Sequence, residues 1–155
     1  MIKLAHQAHD YYQMASNALS KLHSVAVLAI RIYIAKVFFY SGLTKLQDWD
    51  TTLFLFEEEY QVPLLNFEHA AYLATFGEIV LPVLLFVGLF SRFSALALSA
   101  VNIVAVISLI EIAPAALYLH VLWGALLAQV AIYGGGVLSL DQLVKKTWLN
   151  KATNK

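Results

Sequence analysis

AAYLATFGEIVLPVLLFVGLF (residues 70–90) and FSALALSAVNIVAVISLIEI (residues 93–112) are two apolar runs separated only by Ser91 and Arg92. Each is close to the ~20 residues a helix needs to cross the hydrocarbon core of a bilayer. In lipid the backbone must satisfy its own N–H and C=O groups, so these runs read as antiparallel membrane helices joined by a tight turn. Two more runs flank them, Val25 to Leu43 and Ala115 to Tyr133, the latter following the third run after Ala113 and Pro114. Pro114 suits the first turn of a helix, where no N–H is needed. The chain therefore reads as all-α, an integral membrane four-helix bundle.

Composition agrees, since 61% hydrophobic and 13% charged residues do not make an ordinary soluble domain, and 155 residues allow one bundle without a second domain. Three parts are expected: a cytoplasmic amphipathic segment (residues 1–24), the four-helix transmembrane domain (25–144) and a basic cytoplasmic tail (145–155). In the first part Ile2, Ala5, Tyr12, Ala15, Leu19 and Leu22 can share one helical face, which predicts either an N-terminal interfacial helix or a partly ordered solvated one. Between the first two spans, WDTTLFLFEEEY (Trp49 to Tyr60) sets Leu53, Phe54, Phe56 and Tyr60 against an acidic surface. This predicts a short external amphipathic helix, either a lid over the bundle's mouth or a helix packed at the interface.

Lys3, Lys21, Arg92, Lys145, Lys146, Lys151 and Lys155 all fall on one side of this arrangement, with Lys45 on the other. Basic residues stay on the cytoplasmic side, so a multi-pass protein of the cytoplasmic (inner) membrane with both termini cytoplasmic is expected. The chain contains no cysteine, so electron-transfer chemistry would need a bound or partner-held cofactor. No glycine-rich phosphate loop or excess positive charge points to nucleic acid.

Polar residues inside the spans are expensive and mark function by default. They are Arg31, Lys36, Glu78, Asn102 and His120. At ~1.5 Å rise per residue, Lys36 and Glu78 lie ~17 and ~18 Å from the cytoplasmic ends of their runs, which predicts a mid-membrane ion pair. Tyr40 follows one turn after Lys36, so Lys36, Tyr40, Glu78, Asn102 and His120 either line one candidate polar pocket or simply hydrogen-bond the helices together. Pro82 frees the carbonyl of Glu78, because a proline ring has no N–H to offer the residue four before it. Arg31 is expected to snorkel toward headgroups or to meet Gln129. Lys45, Glu68, His69 and Glu111 gather near the outer surface and could bind a metal, but Glu68 and His69 suit the first turn of a helix capped by Asn66, so no metal site is assigned. His120 is the one histidine within a span, which leaves a two-histidine haem unsupported.

With these residues in place the chain resembles the DoxX family of small four-helix membrane proteins, over roughly Leu28 to Val144. The resemblance rests on Arg31, on Phe38-Phe39-Tyr40-Ser41-Gly42-Leu43-Thr44-Lys45, on Glu78, on Gly88-Leu89-Phe90-Ser91-Arg92, and on Gly134-Gly135-Gly136-Val137-Leu138-Ser139-Leu140-Asp141. The family often has Gly-Pro-Gly and a basic residue where this chain has Gly134 to Val137, and Lys36 is not a family feature. The resemblance implies a link to membrane redox, because DoxX-like proteins include a subunit associated with quinone-reducing thiosulfate oxidation and others that join oxidoreductase complexes with soluble partners. Relatives with this loop pattern also resemble proteins encoded beside iron-dependent peptide-modifying enzymes and metal-stress proteins.

The function expected is that of a membrane accessory subunit of a redox system, its pocket receiving a quinone headgroup, with a protein partner and with homodimerisation open. Lys36, Tyr40 and His120 are the expected donors and Glu78 the proton-exchanging group. The alternatives are a permease for a small solute or metal, and a scaffold that anchors a soluble enzyme.

Overall fold

A computed structural model describes residues 2–153. The expected cytoplasmic cation Lys155 lies outside them. The chain forms α1 (Ile2–Gln47), α2 (Trp49–Glu58), α3 (Phe67–Val87), α4 (Ser91–Ser108), α5 (Pro114–Tyr133) and α6 (Leu140–Thr153). Four of these helices, α1, α3, α4 and α5, are long and apolar enough to cross a membrane. They close into a ring in which α1 packs on α3, α3 on α4, α4 on α5 and α5 back on α1.

The centre of the ring is filled by Val27, Ile34, Phe38, Leu85, Ala95, Leu98, Leu127 and Val130. The outward surface is equally apolar: Phe76, Phe93, Ile103, Ile107, Val121 and Ile132 are all exposed. A water-soluble bundle would place polar residues there, so this surface fits surrounding lipid.

The polar segment 1–24 is not a separate helix, because α1 runs unbroken from Ile2 into the first span. His23 meets the bundle through its ring, edge-on to that of Tyr133 at 5.7 Å, and Ser24 through its hydroxyl, which accepts from the Val137 N–H. The described residues before them extend the helix by ~30 Å at the usual rise.

Helix ends follow their local chemistry. The side chain of Asn66 caps α3 by accepting the N–H of His69 at 3.0 Å, the capping role expected of it. The carboxylate of Asp48 caps α2, accepting from the N–H and hydroxyl of Thr51 at 3.0 and 2.7 Å. Gly88 ends α3 with φ +74, a conformation that a side chain resists. A Cβ there would also strike the Arg31 guanidinium.

The short external helix forms as expected. Phe56 is buried against Ala70 and Ala71, with Trp49, Leu53 and Tyr60 packed around it. Phe54 departs from the expectation and is 60% exposed. Beyond α2, Tyr60 and Leu109 form an antiparallel bridge, and the Gln61 N–H donates to the Ser108 carbonyl at 2.7 Å. The connection is thereby tied across the bundle to the end of α4.

Candidate functional site

Beneath α2 lies a cavity of about 600 Å³ lined by all four long helices and by the chain that follows α2. Next to Ser41, which lines its polar wall, stands Gly42. A Cβ on this residue would stand 3.0 Å from the Cβ of Glu78 and 2.9 Å from Ile79 Cδ1, so glycine lets α1 and α3 approach closely here. Three residues later on nearly the same face, the Lys45 ammonium donates to Glu78 Oε2 at 2.6 Å and to the Ser41 hydroxyl at 3.1 Å. The paired side chains retain 19% and 9% of their exposure, so the charges meet at the edge of the cavity with little water.

The expected Lys36–Glu78 pair is therefore corrected to Lys45–Glu78. Side chains on a helix lean toward its N-terminus, and α1 and α3 are antiparallel. Lys36 consequently leans away from Glu78, whereas Lys45 leans back toward it while Glu78 reaches up. The depth count misled for a second reason. A Cβ on Gly42 would touch the Cβ of Glu78, so these two positions lie level. Lys36, six residues before Gly42, therefore sits ~9 Å short of Glu78 along the bundle axis. Lys36 is exposed and does not line the cavity, so the expected pocket residues do not all converge.

Tyr40, Glu78 and His120 do line it. Asn102 stands behind His120: its amide donates to the His120 carbonyl at 2.9 Å, and its Oδ1 lies 2.8 Å from His120 Nδ1. A carbonyl accepts only, so the amide orientation is set by the backbone, and Nδ1 must carry the proton it gives to Oδ1. The neutral ring then presents Nε2 as an acceptor, not as the donor expected from sequence. The His120 ring also meets Trp123 edge-on at 4.9 Å.

Tyr60 was not among the expected pocket residues, yet it lines the cavity from above. Burial, with the charges of Glu59 and Glu78, raises its phenol above the ordinary range, which keeps it protonated as a donor. The signal was present in the amphipathic pattern of residues 49–60, but nothing local tells which apolar residue roofs a cavity.

The remaining motif residues gather at the opposite end of the bundle. Arg31 is 1% exposed and makes four hydrogen bonds, from Nε to the Leu85 carbonyl, Nη2 to Phe86, and Nη1 to Gly135 and Leu138. The expected snorkelling or contact with Gln129 is thus corrected. The last carbonyls of a helix lack intrahelical donors and carry partial negative charge, and a buried guanidinium satisfies several at once. Asp141 completes this end by accepting from the N–H groups of Phe90 and Ser91 at 2.7 and 2.8 Å, which holds Phe90 at φ +50. The Ser139 hydroxyl donates to the Gly136 carbonyl at 2.7 Å, while Arg92 remains exposed. These residues join the α3–α4 turn to the chain after α5.

A family model described as DoxX matches residues 26–111. A Haemophilus influenzae protein, described as an uncharacterized protein, is 30% identical over 137 residues, covering 83% of this chain and 89% of its own. No solved structure matches the chain.

Proposed function

The chain belongs to the DoxX family of membrane proteins, and from that premise we propose that it is an accessory subunit of a membrane redox system whose cavity receives the headgroup of a lipid-soluble quinone. The observation that carries this reading is the cavity itself, about 600 Å³ of mainly apolar space with an ion pair, a phenol and an imidazole on its walls. That volume falls within the range usual for small-molecule sites. Tyr40, Leu73 and Val104 line it and are also exposed on the outer surface, which supports a lateral opening for an apolar tail.

A quinone supplies two-electron carrier chemistry, with protons following the electrons. The Tyr60 phenol and the Lys45 ammonium are the groups that would donate to its carbonyl oxygens. His120 Nε2 would accept from a hydroxyl of the reduced form, and Asn102 holds that ring in the required tautomer. Glu78 would be the proton-exchanging group, its charge balanced by Lys45 until the ammonium turns toward a ligand. The electrons would come from a protein partner.

Trp123 lines the cavity and provides the readout. In lipid nanodiscs a short-chain benzoquinone should quench its fluorescence saturably, with the Trp123→Phe variant identifying the share of signal lost. Ala100→Phe fills the cavity from an exposed lining position without stranding a polar group, and should weaken quenching about tenfold. Unsaturable quenching, or the same curve in the filled variant, would sink the quinone reading.

A further inference from the structure

A second cleft, about 670 Å³, opens at the opposite end of the bundle between the start of α4, the end of α5 and Gly134-Gly135-Gly136. His23, Arg92 and Lys145 line it, together with Phe93 and Tyr133. The two aromatic residues are 62% and 63% exposed on the outer surface of the spans, so they lead from the cleft toward the surrounding lipid.

Several donors there lack acceptors. Arg92 folds back over the loop, its Nε 3.5 Å from where a Cβ of Gly134 would stand. The N–H groups of Gly135 and Gly136 have no hydrogen-bond partner among the described residues. In the first turn of α4, Asp141 takes the N–H groups of Phe90 and Ser91, leaving those of Arg92 and Phe93 without an intrahelical acceptor. An independent sign is the Ser91 hydroxyl, which is fully buried, has no hydrogen-bond partner and faces Gly135 in the cleft wall. A buried polar atom left unpaired is costly unless a ligand completes it.

The one anion in the lining is Asp141, and both its oxygens are already engaged by backbone N–H groups. The site therefore offers two exposed cations and several N–H donors beside an apolar exit. We propose that this cleft seats a phosphate group, with the headgroup of an anionic phospholipid as its source. Phosphate takes up both charge and multiple N–H donors, and the acyl chains would run along Phe93 and Tyr133. This site is separate from the quinone cavity, so either reading can fail alone.

The test uses the full chain in phosphatidylcholine nanodiscs, with and without added phosphatidylglycerol. Wild-type protein should melt several degrees higher with phosphatidylglycerol and should retain that lipid several-fold over phosphatidylcholine after detergent extraction. The double variant Arg92→Gln, Lys145→Gln should lose both effects, whereas Lys146→Gln, an exposed cation outside the cleft, should keep them. Ser91→Ala provides a second variant that removes a hydroxyl with no partner to lose. It should weaken lipid preference without lowering the melting temperature in phosphatidylcholine. Inorganic phosphate raising the melting temperature in pure phosphatidylcholine, through Arg92 and Lys145, would support the seat and give it a soluble source. Equal lipid retention in wild type and double variant would overturn the proposal, as would equal loss in Lys146→Gln, which would mark bulk surface charge.

Discussion

At the residue scale, two charged groups carry most of the specificity. Glu78→Gln would strand the Lys45 ammonium at a nearly dry site and should cost roughly 2 to 4 kcal/mol of stability. Adding Lys45→Met should recover part of that loss in thermal melts, whereas adding Lys36→Met should only sum with it. Recovery by Lys36→Met instead would show that the ion pair is wrongly placed. Arg31→Lys should fail to support the fold, because an ammonium cannot span four carbonyls on two segments as a planar guanidinium does. A loss of at least ~3 kcal/mol is expected from the charged hydrogen bonds forfeited, and a melting temperature within error of wild type would refute the clamp. The importance of Arg31 and Glu78 was legible in the sequence because charge in lipid is costly. Their partners were not, since backbone carbonyls carry no sequence signal and the lean of a side chain matters as much as its depth.

At the element scale, α2 is held by a cap that titrates. Hydrogen bonds from Thr51, first its N–H and then its hydroxyl, depress the Asp48 carboxyl below its usual range. Its stabilising contribution is therefore complete above the unfolded value of ~3.9 and disappears as pH falls through the lower folded value. Asp48→Asn retains a capping oxygen, so the variant should lose less stability than wild type across that acid window. Parallel acid titrations of both proteins would show no divergence if the cap were unimportant. The opposite sign holds for Tyr60, whose raised value gives stability that is complete below ~10 and lost as pH climbs through the folded value. The existence of α2 was readable from its alternating apolar and acidic pattern. Its seat over the cavity depends on Phe56 finding Ala70 and Ala71, small residues that only the packed bundle brings beneath it.

For the whole molecule, the one-sided distribution of lysine and arginine predicts the orientation. Glu58→Cys should react with an impermeant thiol reagent applied from outside, and Lys146→Cys should react only after the membrane is opened. The reverse pattern would invert the protein. The four spans and the positions of their polar interruptions follow from the sequence alone, because hydrophobic length and the cost of charge in lipid act on each segment independently of its neighbours. The tertiary structure decided which polar groups meet: Lys45 with Glu78, His120 with Asn102, and Arg31 and Asp141 with the ends of α3 and α4. The physical reason is that pairing depends on where antiparallel helices cross and which way each side chain leans. Contacts such as that of Gly42 on Glu78 and Ile79 set those crossings, joining residues far apart in sequence.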